Sequence, residues 1–182
     1  MLLLELLLAM TATALLGLGI AGVLALSIQG TSTRNDMQES FVRLGLLTAR
    51  INASIRESRM VLAQGDDYLL LWTADTSVNG VPNLSEMRLI ERDPDTGEIG
   101  QSVIEFTVDT PYALTTNFAS LVSQLQGGGQ FIYTPWGENL SEWTITLDHA
   151  APPLAMSVSY RLTLSIGQVE DTAVCSVRLR NR

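Results

Sequence analysis

The sequence has no lysine, one histidine (His149) and one cysteine (Cys175). A single cysteine cannot form a disulfide within the chain, and one residue of each type is too few for a metal site built on thiolates and imidazoles. Apolar residues alternate with polar ones around Cys175, which favours a thiol that packs as a small apolar group. Disulfide-stapled domains and zinc-type centres are therefore excluded.

Recognisable catalytic motifs are also missing. The chain contains no Gly-x-Ser-x-Gly segment, no phosphate-binding loop and no paired catalytic carboxylates. The only histidine is followed by Ala150, Ala151, Pro152 and Pro153, a composition typical of a loop between strands. We therefore expect a protein that is not an enzyme.

The formal net charge is −8 at pH 7, and it is unevenly distributed. Up to Leu62 the acidic residues are nearly matched by arginines, so the excess negative charge lies in the later part of the chain. Nucleic acids select basic patches, and no nucleic-acid partner is expected. An acidic surface favours cations or basic protein surfaces as partners.

The longest apolar stretch covers residues 1–30 and contains one charged residue, Glu5. As an α-helix it would be ~40 Å long, enough to cross a hydrocarbon core of ~30 Å. A carboxylate in lipid costs on the order of 2.5–3.5 kcal/mol, so a cationic partner for Glu5 is expected. The alternative is an ordinary anchor with Glu5 at the membrane surface.

A secretory signal peptide fits this stretch poorly. Such peptides begin with a basic segment, whereas the first basic residue here is Arg34, on the far side of the apolar run. We expect that a short basic leader has been removed and that Met1 is the first residue of the mature chain.

An apolar helix with glutamate at its fifth position and an amphipathic continuation resembles the N-terminus of the type IV pilin and pseudopilin family. In that family a prepilin peptidase cuts the leader and the new N-terminal amine is methylated. The glutamate pairs with that amine of a neighbouring subunit in the filament. The resemblance therefore implies that Met1 supplies an ammonium group and Glu5 its carboxylate partner. Major pilins usually have a proline where this chain has Gly22.

The helix is predicted to continue through residues 31–59. Six residues recur at alternating spacings of four and three, which is typical of one stripe of a helix lying on a β-sheet. The alternative is a free amphipathic helix that binds another partner. The stripe consists of Met37, Phe41, Leu44, Thr48, Ile51 and Ile55.

The remainder of the chain is predicted to be rich in β-strands. Gly65, Asp66 and Asp67 indicate a hairpin turn between two short strands, and a helix with one apolar face is expected from Phe118 to Leu125. The predicted strands are Met60–Gln64, Tyr68–Trp72, Met87–Arg92, Ile99–Val108, Trp143–Leu147, Met156–Ile166 and Cys175–Leu179.

The predicted fold class is α+β. A long N-terminal α-helix, with a membrane or filament half (1–30) and an amphipathic half (31–59), packs on an antiparallel β-rich head (60–182). This order is most similar to the J-type minor pseudopilins of type II secretion systems, whose heads contain two small antiparallel sheets.

Twelve residues from Asp75 to Glu86 match the spacing of an EF-hand calcium loop. Oxygen-bearing side chains lie at loop positions one, three, five and nine, a glycine lies at position six, and a glutamate closes the loop at position twelve. A backbone carbonyl is expected to bind at position seven. The predicted calcium ligands are Asp75, Ser77, Asn79, Val81, Asn83 and Glu86.

Three features separate this loop from an EF-hand. Ser77 is a weaker ligand than aspartate, Pro82 removes a backbone donor, and the flanking segments are predicted strands. Only two carboxylates are present, so the expected dissociation constant is on the order of 10⁻⁴–10⁻³ M. The alternative is a polar turn rich in asparagine, glycine and proline.

Two functions follow from these patterns. The first is a structural subunit, a minor pilin or pseudopilin, that is held in the bacterial inner membrane with its head in the periplasm and then joins a filament. Its partners would be the prepilin peptidase and other pilin or pseudopilin subunits, bound through the N-terminal helix. The second is a membrane-anchored periplasmic binding module that does not polymerise.

Overall fold

The computed structural model describes residues 2–104, 109–127 and 131–180. The described elements form two antiparallel sheets and two α-helices. They are, in chain order, α1 (Leu2–Glu57), β1 (Met60–Gln64), β2 (Tyr68–Trp72), β3 (Met87–Arg92), β4 (Ile99–Ile104), α2 (Phe118–Gly127), β5 (Phe131–Gly137), β6 (Leu140–Leu147), β7 (Ser157–Ile166) and β8 (Val169–Arg178).

The first sheet has the strand order β1-β2-β3-β4-β5, and the second has the order β6-β7-β8. The predicted hairpin between β1 and β2 is confirmed, with Met60 opposite Trp72 and Gln64 opposite Leu69. The end of the predicted strand Ile99–Val108 lies outside the described residues. Strand β5 was not predicted, because Pro135 interrupts its apolar and aromatic run.

The fold class predicted from the sequence is wrong in its N-terminal part. Among the described residues, no helix is long and apolar enough to cross a membrane. The side chains of α1 are described without interruption only from Ser32 to Glu57. Arg34, Asp36 and Glu39 break up the apolar sequence there. The described fold is this helical segment on two antiparallel sheets, and a membrane half is not part of it.

The same finding overturns the predicted transmembrane helix and the predicted localisation, a single-pass protein of the bacterial inner membrane with its head in the periplasm. Both rested on the apolarity of residues 1–30, and no membrane-spanning helix is found where the structure is described.

Helix α1 packs on the sheets through one stripe of side chains. Four apolar residues at helical spacing are almost fully inaccessible to solvent, and they join a core cluster with the inner faces of β6, β7 and β8. The stripe differs from the predicted one at its start, since Met37 and Phe41 are 54% and 77% exposed. The buried apolar residues of the stripe are Leu44, Leu47, Ile51 and Ile55.

Helix α2 covers a second cluster on the first sheet. Successive residues of β2 point to opposite faces of a pleated strand, so Leu69 and Leu71 enter the α1 cluster while Leu70 and Trp72 enter the α2 cluster. Strand β2 is therefore buried on both faces. This accounts for the unbroken apolar run of β2.

A turn at Gly97 connects the two sheets. The Gly97 φ angle is +68°, and a Cβ atom there would lie 2.9 Å from the Leu140 carbonyl oxygen. The Leu140 amide donates to the Gly97 carbonyl at 2.9 Å, and the Arg92 guanidinium donates to the Leu140 carbonyl at 3.1 Å. Glycine is required by both the backbone angle and the close approach.

Candidate functional site

The predicted calcium loop connects β2 to β3. It ends in a short 3₁₀ turn, Leu84–Glu86, whose N-terminal cap is Asn83. Glu86 immediately precedes β3 and is 2% exposed. A carboxylate this deeply buried needs partners, because an unpaired buried charge is strongly destabilising.

Protein donors surround the Glu86 carboxylate. Its Oε1 accepts hydrogen bonds from Thr76 Oγ1 (2.8 Å), from the Ser77 amide (3.0 Å) and from Ser77 Oγ (2.7 Å). Its Oε2 accepts from Trp72 Nε1 (3.0 Å) and from the Asn83 amide (3.2 Å). Burial alone raises the pKa of Glu86, but the hydrogen bonds outweigh it and hold the pKa at about 2, below the ordinary 4.5. The carboxylate is therefore ionised at neutral pH.

Asp75 organises the other end of the loop. Its carboxylate accepts hydrogen bonds from the Asn79 and Gly80 amides, each at 3.1 Å, and forms an ion pair with Arg59 at 3.0 Å. The chain turns through two residues with positive φ, Val78 at 54° and Gly80 at 74°. A β-branched residue is strained at such an angle, and the Asp75 hydrogen bonds hold this turn in place.

The two asparagines of the loop bond to their neighbours. Asn79 Nδ2 donates to Asn83 Oδ1 at 3.0 Å, and Asn79 Oδ1 accepts from the Val81 amide at 3.0 Å. Asn83 Nδ2 donates to Ser77 Oγ. The six predicted ligand residues are thus brought together, but mainly by hydrogen bonds among themselves.

Residues outside the predicted set complete the loop. Asp109 accepts hydrogen bonds from the Ser85 amide (3.0 Å) and hydroxyl (2.7 Å), and Trp72 and Thr76 donate to Glu86. The sequence gives no signal for Asp109, which lies 24 residues from Ser85. In the sequence, Thr76 can be recognised only as a loop residue and Trp72 only as a strand residue.

A calcium ion in this loop would have to compete with the protein's own hydrogen-bond donors. Calcium needs six to eight oxygens with free lone pairs, and the closing glutamate must bind through both of its oxygens. Both oxygens of Glu86 already accept from protein N–H and O–H groups. Among the described residues, no group of three or more His, Cys, Asp or Glu is placed to hold a metal ion. Calcium binding stays a prediction that the structure does not test.

Calcium titration tests this prediction directly. Because the donors around Glu86 would have to be displaced, we expect 5 mM calcium, about five times the weakest expected dissociation constant, to leave the melting temperature within 1 °C of its value in EDTA. Differential scanning fluorimetry of the full chain measures this, with magnesium as the ionic-strength control. A calcium-specific rise in the melting temperature that Asp75→Ala abolishes would show that the loop binds calcium.

The side chains of the two residues predicted to act in filament assembly are not among those that the structure describes. Met1 lies outside the described residues. Glu5 falls within α1, but its side chain is not among those described. The predicted ammonium–carboxylate contact therefore stays a prediction.

The described part of α1 also carries apolar side chains that are exposed to solvent. Phe41 is 77% exposed, and Met37, Val42 and Leu46 are each more than half exposed. No atom lies within 4 Å of where a Gly45 Cβ would stand, so the helix surface is open at this point. Apolar side chains this exposed and this close together mark an interaction surface. We call Met37, Phe41, Val42 and Leu46 the outer face of α1.

A groove of about 450 Å³ lies beside the outer face, between α1 and β5. Arg43 is held there by Glu138 at 3.1 Å and by Glu39 at 2.6 Å, which raises the pKa of its guanidinium. Arg50 donates to the Trp136 carbonyl at 3.1 Å. These contacts attach the middle of α1 to the first sheet.

Comparisons with protein-family models, with curated proteins and with solved structures gave no match. Two features of the chain bear on its function: the outer face of α1 and the uneven distribution of charge.

Proposed function

We propose that the protein is a structural subunit, a minor pilin or pseudopilin, of a filament that assembles through α1. The observation that carries the proposal is the two-faced character of the helix. Its inner stripe is fixed on the sheets by Leu47, Ile51 and Ile55, while its outer face stays exposed. A helix that only completed a monomer core would present polar residues to solvent.

The exposed residues suit contact with another helix. Met37, Phe41, Gly45 and Ala49 follow one another at intervals of four residues, so they lie along one line of the helix surface. The two small residues allow close approach, and the two large ones supply apolar contact area. The partner would be the equivalent helix of another copy or of a related chain.

The charge distribution favours subunits that repeat in one direction. From Ser32 to Glu57, α1 is nearly neutral, with four arginines against three carboxylates, whereas the later part of the chain holds the excess negative charge. The helix of one copy can therefore approach the strand region of the next without the like-charge repulsion that two strand regions would meet. A contact between two different surfaces repeats into an open helical array when the rotation does not close.

The resemblance of the first residues to type IV pilins and pseudopilins supports the same class. Within a bundle of packed helices, a buried glutamate is costly unless a cation pairs with it. An ammonium group on a neighbouring subunit is such a cation, and the contact would fix the axial spacing of packed helices.

Assembly in native cells tests the proposal. We expect the full chain to be recovered in the filament fraction sheared from the cells, with filaments visible by electron microscopy. Phe41→Glu should lower the recovered amount at least tenfold, because a charge on the outer face cannot be buried against another helix. Glu5→Leu should lower it as well.

A matched control separates assembly from general surface effects. Val78 is 85% exposed but lies in the β2–β3 loop, away from α1. Val78→Asp should leave the recovered amount unchanged, and Phe41→Glu should unfold at the wild-type temperature. Equal recovery of wild type and Phe41→Glu would contradict the proposal, as would absence of the wild-type chain from every filament fraction.

A further inference from the structure

Strand β8 forms one edge of the second sheet. It is ten residues long and pairs continuously with β7 from Ser157–Arg178 to Ile166–Val169, without a bulge. In the part of the chain that the structure describes, no strand lies on its other side. An edge strand presents a row of unpaired amides and carbonyls, which is a template for another strand.

Two devices that can protect such an edge, a proline and a β-bulge, are absent from β8. By contrast, β5, at one edge of the first sheet, contains Pro135, which lacks a backbone donor. The charges of β8 can protect a long, regular edge against pairing only where no opposite charge faces them.

The exposed residues of β8 complement the same strand running in the opposite direction. Val174 is 69% exposed at the centre. Glu170 lies four residues before it and Arg178 four residues after it, and all three point to the outer face. Neither charged residue belongs to an ion pair among the described side chains. Thr172 and Ser176 occupy the two intermediate positions.

We propose that β8 binds β8 of a second copy as an antiparallel pair centred on Val174. The two Val174 side chains then lie opposite each other, Thr172 faces Ser176 of the second copy, and Glu170 faces Arg178 of the second copy. The two-fold axis repeats each charged pair. Opposite charges and β-branched residues placed directly across a strand pair are stabilising. A register two residues away in either direction leaves Arg178 without a carboxylate opposite it.

The inner face of β8 leaves room for the second copy. Its inward side chains Ala173 and Cys175 are only half-buried, although α1 packs on β8. Helix α1 therefore does not cover the β8 edge completely. The pair would form one six-stranded sheet with both copies of α1 on the same face.

This contact goes beyond the proposed filament. Subunits of a polar filament all point the same way, whereas a two-fold pair is antiparallel. The β8 pair therefore belongs to subunits that are not assembled, and it does not use the outer face of α1.

Disulfide trapping tests the pairing. In the full chain carrying Cys175→Ser, Val174→Cys places two thiols directly opposite each other, within the 4.4–6.8 Å Cα separation that a disulfide requires. Mild oxidation should convert most of this variant to a covalent dimer. Thr172→Cys is the matched control on the same face, because its two copies would be about 13 Å apart along the strands. It should give at least tenfold less dimer.

Charge reversal provides a second measurement. Glu170→Arg should shift the dimer measured by sedimentation velocity to monomer, and Glu170→Arg with Arg178→Glu should restore it. Equal cross-linking at residues 172 and 174, or a chain that stays monomeric at 100 µM, would overturn the pairing. The trapping is repeated in the Phe41→Glu variant. If this variant forms no filaments but still gives the covalent dimer, the pairing of β8 is shown to be independent of the filament proposal.

Discussion

Replacing Glu86 with glutamine is expected to lower the free energy of unfolding by about 3–4 kcal/mol. The side chain keeps its size but loses its charge and one acceptor oxygen. The glutamine amide group would then face donors such as Trp72 Nε1 and the Asn83 amide, which now share one carboxylate oxygen. At least two buried donors would be left without an acceptor. Chemical denaturation of the full chain measures the loss.

The pH dependence identifies the cause. The folded pKa of Glu86, about 2, is below the ordinary 4.5, so its contribution is complete above pH ~5 and is lost as the pH falls from 4.5 towards 2. The difference in stability between wild type and Glu86→Gln should therefore shrink in acid. Glu57→Gln is the matched control, since that side chain is 61% exposed and forms one ion pair at 3.5 Å. Its cost should stay below ~0.5 kcal/mol, and an equal cost for both variants would contradict the role of Glu86.

The strands could be predicted wherever local pattern decides them. The β1–β2 hairpin follows from a short polar turn between two apolar runs, and β3 begins and ends as predicted. Strand β5 was missed because Pro135 argues against a strand unless the strand is known to lie at an edge. Whether a strand lies at an edge depends on the order of the strands in the folded sheet. A local sequence pattern does not reveal that order.

The loop shows a different limit. Its spacing correctly identified residues that share one compact turn, because oxygen-bearing side chains at alternate positions serve turns and metal sites alike. Which groups bind these side-chain oxygens depends on hydrogen-bond donors from other parts of the chain. The indole of Trp72 reaches Glu86 only because β2 and β3 pair side by side, with Trp72 opposite Met87.

The α1 helix was predicted from one apolar stripe, but its sequence carries two. Leu44, Ile51 and Ile55 were assigned correctly to the sheet side. Met37 and Phe41 continue the same spacing but lie on the outer face, because the buried stripe passes through Ser40 instead. The extent of the two sheets decides which of the two overlapping stripes is buried.

Ile51→Ala is expected to lower the free energy of unfolding by about 3–4 kcal/mol. Ile51 is 0% exposed and lies in the middle of the inner stripe, in the cluster shared with β7 and β8. Removing three carbons there takes away apolar burial and leaves a cavity that the rigid sheet cannot close. Denaturation monitored by tryptophan fluorescence measures the change.

Leu46→Ala is the control on the same helix. Leu46 is 57% exposed, and alanine is at least as good a helix former, so its cost should stay below ~0.5 kcal/mol. The contrast tests the orientation of α1 on the sheets. If both substitutions cost the same, the helix does not present one fixed face to solvent. The outer face would then be unavailable for assembly, because Phe41 and its neighbours would pack against the sheets.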